Sequence, residues 1–314
     1  MSPVLMSKLG WITKQPSRVY RQGIRETIEQ NQQEIVNYLL RRVSDFDYRG
    51  QSIFEKEWDV LIILDACRVD LLESVSNNYY FLPSSISSVR SLGSTSKTWM
   101  DRNFSKQHIG EIRQTAYVTG NPYSRTYLDK AMFSLIDEVW EYGWDEEIGT
   151  VPARNITDRA IMTARGQNPK RLIIHYMQPH FPSIPSPLDS GMDLETFGEN
   201  WSSVWDRLRS GNIEKQTVWE SYLANLRYVL DDVGLLLTNM NAEKVIISAD
   251  HGNAFGEWGQ YGHPTNVPIS VLRDVPWVET TSQDEETYSP SFKRESNQIE
   301  DTEVQSRLED LGYV

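Results

Sequence analysis

Short apolar runs punctuate an otherwise mixed chain. WDVLIILDA (58–66), TAYVTG (115–120), RLIIHYM (171–177), KVIISAD (244–250) and PISVLR (268–273) are each too short for a buried helix and lack the alternation of a half-exposed strand. Such runs suit strands covered on both faces, as in a parallel sheet. Helical stretches separate them, notably 126–141, 155–165 and 217–240. Strand alternating with helix predicts an α/β fold: a three-layer α/β/α sandwich around a mainly parallel central sheet. Ahead of it, RETIEQNQQEIVNYLLRRV sets Ile28, Ile35, Leu39 and Val43 on one stripe, so residues 1–50 read as an N-terminal amphipathic helical segment. The catalytic domain is expected over 51–280. Residues 281–314 form a loose polar tail that regains helical character in VQSRLEDLGYV. Residues 183–212, rich in Pro, Gly, Ser and Asp and carrying Trp201 and Trp205, read as an irregular insertion able to act as a lid.

Composition narrows the function. The chain has 314 residues, 39% of them hydrophobic, with ten Trp and fifteen Tyr, which excludes a disordered protein. A net charge of −13 opposes nucleic-acid binding, which needs a basic stripe, and unassisted docking on an anionic membrane. The basic start (Lys8, Lys14, Arg18, Arg21, Arg25) reads as a solvated face. An anionic substrate must then be held by a metal and by local Arg or His against the protein's own field. Cys67 is the only cysteine, so no intrachain disulfide forms. No apolar stretch approaches the roughly 18 residues of a membrane helix, and MSPVLMSKLGWITK lacks a leader pattern. The expectation is a cytoplasmic protein with no integral membrane segment.

The chemistry gathers where the strands end. In parallel sheets ligands bind beyond the carboxyl ends of strands. The first run ends in Asp65, the third leads to Gln178-Pro179-His180-Phe181-Pro182, and the fourth ends in Asp250-His251-Gly252, with Gly262-His263-Pro264 close behind. Adjacent carboxylate and imidazole can share one divalent ion if the chain turns sharply, and Gly252 allows that turn. Taken alone, Asp-His-Gly is more often a cap beside a surface histidine. Asp65 can cap the helix VDLLESV, bind metal, or do both. Arg68 and Asp70 suit a supporting ion pair, with a phosphate contact by Arg68 as the other option. Ser91-Leu92-Gly93-Ser94-Thr95-Ser96-Lys97-Thr98-Trp99 puts hydroxyls and backbone N–H groups at a helix start, a natural anion site.

Taken together, Asp65-x-x-Arg68-x-Asp70, the Gly-Ser-Thr-Ser turn, His180-Phe-Pro, Asp250-His251-Gly252 and Gly262-His263-Pro264 resemble, in order, the alkaline phosphatase superfamily and its sulfatase-like branch. The resemblance covers about 58–273, and Arg307-Leu308-x-x-Leu311-Gly312-Tyr313 resembles the ending of many such chains. It implies a divalent metal (Zn, Mn or Ca; one site rather than two) held by Asp65, Thr95, Asp250 and His251. Thr95 takes the nucleophile's place, with Ser94 and Ser96 as alternatives in the same turn. His180 and His263 fall where side chains touch the ester oxygens or protonate the leaving group, and Arg68 and Ser94 complete the substrate contacts. The expected activity is hydrolysis or transfer of a phosphate ester on a small-molecule, glycan or lipid-linked substrate. The alternatives are a sulfate ester hydrolase and a non-catalytic binder of a phosphorylated glycan or lipid. Cys67 lies outside the Cys-x-Pro/Ala-x-Arg motif of true sulfatases and reads as a small buried residue. No Asp-x-x-x-His motif is present to build a second metal site.

Overall fold

In the computed structural model the four strongest apolar runs become neighbouring strands. The structure describes residues 50–188, 203–294 and 301–311. The expected N-terminal helical segment, Trp201 with the middle of the insertion, and Gly312-Tyr313 lie outside these. The described residues belong to the unit spanning 48–314.

Strands β1 (Val60–Leu64), β3 (Thr115–Thr119), β5 (Arg171–Tyr176) and β6 (Ala242–Ser248) match the expected runs. Two short strands, β2 (Ser88–Arg90) and β4 (Leu135–Glu138), and the longer β9 (Asp274–Ser282) complete a seven-stranded sheet in the order β2-β9-β6-β1-β5-β3-β4. All pairings from β6 through β4 are parallel, and β9 runs antiparallel to both its neighbours. Every residue of β1 is buried, with Ile62 opposite Ile174 on one side and Ile247 on the other. A strand covered on both faces is what an uninterrupted aliphatic run requires.

Two elements differ from expectation. PISVLR is not a strand: Ser270–Arg273 form a helical turn, and the strand is the following segment, β9. Ile269 and Leu272 are buried three residues apart, which is helical rather than strand spacing. The stretch 126–141, read as one helix, contains β4, whose Leu135 and Ile136 are only partly buried at the sheet edge. The helices that frame the site are α1 (Val69–Glu73), α2 (Ser96–Asn103), α3 (Ala153–Gln167), α4 (Val204–Arg209) and α5 (Lys215–Leu237). A two-stranded hairpin, β7 (Ala254–Phe255) and β8 (Tyr261–Gly262), follows β6. The polar segment expected to be loose is pinned along α3 as far as it is described: Asp158 accepts hydrogen bonds from Tyr288 Oη and the Ser291 and Phe292 amides, and Arg165 pairs with Asp284.

Candidate active site and metal centre

The carboxyl ends of β6, β1, β5 and β3 lie side by side, and each delivers a polar group to one point. Asp65 follows β1, where Ala66 turns the chain in the left-handed region at φ 60°. A non-glycine residue there is strained. The turn is held from both sides, because the Ala66 amide donates to Asp250 Oδ1 at 3.0 Å and Tyr222 Oη donates to the Ala66 carbonyl. Asp65 is therefore not the cap of α1, whose N-cap position is Arg68. Asp250 and His251 follow β6. Gly252 then passes so close to the chain that a Cβ would sit 2.1 Å from the Val271 carbonyl oxygen, so only glycine fits.

Asp65, Asp250 and His251 are fully buried, and each offers one ligand atom within 4.8 Å of the other two. His251 Nε2 lies 3.7 Å from Asp65 Oδ1 and 3.5 Å from Asp250 Oδ2. Its Nδ1 is 3.0 Å from the Gly252 carbonyl, which can only accept, so the neutral ring carries its proton on Nδ1 and turns the Nε2 lone pair to the carboxylates. Asp250 Oδ2 has no hydrogen-bond partner among the described residues. Two buried carboxylates with a bare oxygen between them are costly unless a cation joins them. The donor set of two oxygens and one imidazole nitrogen fits a divalent ion such as zinc.

Two groups that the sequence reading passed over complete this centre. His175, inside β5, is fully buried. Its Nε2 faces Asp65 Oδ2 at 3.6 Å and Asp250 Oδ2 at 3.8 Å, and its Nδ1 meets Tyr117 Oη at 2.7 Å. Burial pushes the Tyr117 pKa well up, so the phenol keeps its proton and donates, leaving the His175 proton on Nε2 against the carboxylates. Asn121, after β3, donates to Asp65 Oδ2 at 2.8 Å. The available signals were a lone imidazole interrupting RLIIHYM and a polar amide just beyond TAYVTG. Burial raises the Asp65 pKa, but His175 and the charges of His180 and His251 outweigh it and hold this carboxyl below the ordinary range.

The hydroxyl turn stands over the centre. Thr95 is the N-cap of α2, with its Oγ1 accepting from the Thr98 amide in a capping box. It also lines a cleft that runs outward past His263. The hydroxyl nearest the carboxylates is Ser96, whose Oγ is 3.3 Å from both Asp65 Oδ2 and His251 Nε2. Ser94 turns elsewhere, donating to the Pro264 carbonyl at 2.9 Å and so tying this turn to the loop that carries His263. Arg68 is occupied as a brace: it pairs with Asp70 at 2.6 Å and Glu257 at 2.9 Å, and donates to the Asn253 carbonyl. The expected ion pair is present, and the guanidinium is engaged by Asp70, Glu257 and the Asn253 carbonyl.

His180 and His263 meet at 2.9 Å between their Nε2 atoms. His180 Nδ1 is 2.5 Å from the Phe181 carbonyl and so carries a proton; its neutral ring has a bare Nε2, and His263 Nε2–H is the donor between them. Burial lowers both pKa values. For His180 the charge of Asp65 opposes this, whereas for His263 the charges of His251 and His180 add to it. Cys67 is buried away from the cleft, and desolvation pushes its thiol pKa up, as for an inert core residue.

No protein-family model matches this chain, and no curated protein does. Solved structures do. The soluble domain of lipooligosaccharide phosphoethanolamine transferase A from Neisseria meningitidis is 16% identical, over 71% of this chain and 76% of that one, with a TM-score of 0.47. The integral membrane form of that protein aligns with 89% of this chain at 14% identity and a TM-score of 0.46, and the chain spans 59% of its length. The C-terminal periplasmic domain of EcEptC from Escherichia coli, in complex with Zn, is 12% identical over 75% and 76% of the two chains, TM-score 0.45. A protein of Vibrio parahaemolyticus described as belonging to the alkaline phosphatase superfamily, the superfamily that the motifs resemble, is 12% identical over 81% and 69%, TM-score 0.38. Likeness at this level concerns the outline of the fold, so the functional reading stands on the side chains.

One expectation is corrected. A cytoplasmic location does not stand, because the matched structures include a periplasmic domain and an integral membrane protein. Among the described residues no helix is long and apolar enough to cross a membrane. That states only what those helices can do, and not where the chain resides.

Proposed function

We propose that this chain is a metal-dependent enzyme that cleaves or transfers phosphate esters, with Thr95 as nucleophile. The observation that carries the reading is the set of Asp65, Asp250 and His251, fully buried at the ends of adjacent strands, their ligand atoms within 4.8 Å and the hydroxyl turn beside them. These three residues would hold the ion. A divalent ion there lowers the pKa of a neighbouring hydroxyl and neutralises charge on phosphoryl oxygens. The remaining work falls to side chains. Thr95 sits where the first-turn amides and dipole of α2 favour a negatively charged oxygen. Its Oγ forms a bond to phosphorus as the ester P–O bond breaks, the hydroxyl proton leaving with the departing alcohol; the phosphoryl group then passes to water or to an acceptor alcohol, whose proton returns to the Thr95 oxygen. His180 and His263 are kept neutral by burial; once substrate parts the pair, the His263 Nε2–H is released to donate to a phosphoryl or leaving oxygen, and the His180 Nε2 lone pair to accept. The buried, high-pKa Cys67 offers nothing to a sulfatase-type nucleophile, which favours phosphate over sulfate.

A second assignment of the nucleophile has its own support, since Ser96 Oγ is 3.3 Å from Asp65 Oδ2 and His251 Nε2, whereas among the described residues no hydrogen bond joins Thr95 to the carboxylates. We favour Thr95 because it lines the cleft, whereas Ser96 is fully buried and suits a hydroxyl that orients Asp65 and His251. The test is a zinc-loaded assay with 4-nitrophenyl phosphate, followed by acid quench and peptide mass spectrometry. A phosphoryl adduct on Thr95, with turnover lost in Thr95→Ala, is expected. An adduct on Ser96 moves the role one residue, and no adduct and no turnover under any divalent metal overturns the reading.

A further inference from the structure

The cleft that Thr95 lines has a volume of about 240 Å³. Lys97, in the first turn of α2, Tyr123, Trp205, Arg209 and Tyr261 are among the residues that line it. This is the space for whatever part of the substrate lies beyond the reacting phosphoryl group. Its charged groups differ in how they are engaged. Asp206 is consumed by its own helix start, accepting from the Ser203 amide and hydroxyl, and lies 3.5 Å from Arg209. The Arg209 guanidinium lies over the Tyr261 ring at 5.6 Å. Lys97 is half-buried in the wall and has no hydrogen-bond or ion-pair partner among the described residues. Among the described residues no hydrogen bond or ion pair joins it to Asp65, Asp250, His251 or the histidine pair. In a protein of net charge −13, a lysine that lines the cleft and has no ion-pair partner is a local inversion of the field.

We propose that Lys97 is a specificity-determining residue that receives a second anionic group of the substrate, a phosphate or carboxylate, beyond the phosphoryl group that reacts. The assignment rests on the phosphoryl-transfer reading of the neighbouring centre. It explains how an acidic protein with two buried carboxylates in its site draws in a polyanion: the metal-ligand set takes the reacting group and Lys97 takes the distal charge. Lysine suits this role as a point charge on a flexible stem, tolerant of the distal group's exact shape.

Binding, read by calorimetry on the zinc-loaded full chain, tests this without turnover. The probes are methylphosphonate, with one anionic group, and 3-phosphonopropionate and 1,3-propanediphosphonate, which add a carboxylate or a second phosphonate. The wild type is expected to bind the two longer probes more tightly than methylphosphonate. Lys97→Met should weaken the longer probes by about tenfold, leave methylphosphonate within about twofold, and keep metal content unchanged. Lys97→Arg should restore most of the loss. Which longer probe loses more in Lys97→Met tells whether the distal group is carboxylate or phosphate. Equal weakening of all three probes, or none, overturns the assignment of Lys97 while leaving the phosphoryl-transfer reading intact. Failure of the wild type to bind any of the probes overturns that reading and the assignment with it.

Discussion

The metal centre stands on very few atoms. Asp250 Oδ1 is spent on two backbone amides, those of Ala66 and His251, at 3.0 and 2.9 Å, which aims Oδ2 into the centre. Asp250→Asn keeps the shape and removes the charge; Asp250→Ala removes the hold on the strained Ala66 turn as well. Both, and His251→Ala, are expected to drop zinc from about one ion per chain to near none in elemental analysis, with Asp250→Asn keeping native circular dichroism. Full zinc occupancy in any of the three would show that the ion is held elsewhere. The His180–His263 pair supports a different expectation. His180→Asn or His263→Asn should keep the metal and lower turnover by about 10²–10³-fold, as for loss of one donor to developing charge. A structure with a second ion bound at either ring would mean that the pair is a metal site instead.

How far the sequence spoke is best judged element by element. β1, β3, β5 and β6 were legible because each has a buried centre written as a short run of aliphatic and aromatic residues, as a strand covered on both faces requires. β9 was not, because it lies against β6 with mixed burial, carries Pro276 and ends in exposed threonine and glutamate, a pattern shared with polar tails. The site residues at strand ends were legible by position. His175 was hidden because a histidine inside a core strand reads as a satisfied core residue until its carboxylate neighbours, 110 and 75 residues distant in the chain, are placed beside it. Asn225 was hidden for the same reason. From the middle of α5 its amide reaches the carbonyls of Pro179, His180 and Pro182 at 3.2, 2.9 and 3.3 Å, and its Oδ1 accepts from the Ile184 amide. Asn225 thus ties four backbone groups of the His180 loop to the helix, beside the Ser183 Oγ–Ser221 carbonyl and Ser221 Oγ–Ser186 carbonyl bonds. Asn225→Leu removes these hydrogen bonds and is expected to cost about 1–3 kcal/mol in denaturant unfolding, with a fall in turnover, while zinc binding by the separate β1 and β6 residues persists. Unchanged stability would mean that the loop is held by its serine hydrogen bonds and packing instead.

At the scale of the whole molecule, the buried histidine pair couples folding to pH. In the folded chain the His180 and His263 pKa values lie below the ordinary 6.5, chiefly because burial penalises the imidazolium. The unfolded chain, with ordinary histidines, therefore takes up protons below about 6.5 that the folded chain refuses. Where the unfolded state binds more protons, stability rises with pH, so their contribution is complete above that value and is lost as pH falls beneath it. Asp65 acts in a separate, more acidic window. Its folded pKa is depressed below 3.8, so the stability it adds is present above 3.8 and disappears only as pH falls further. The metal-free chain should accordingly show a lower urea midpoint at pH 5.5 than at pH 7.5, well before any carboxylate of ordinary pKa is titrated. Replacing both rings, His180→Asn with His263→Asn, should flatten the difference between these two pH values, because the asparagines have no proton to refuse. If the double variant loses as much stability between pH 7.5 and 5.5 as the wild type, the acid sensitivity belongs to other groups, and the pair does not set the pH range in which this fold survives without its metal.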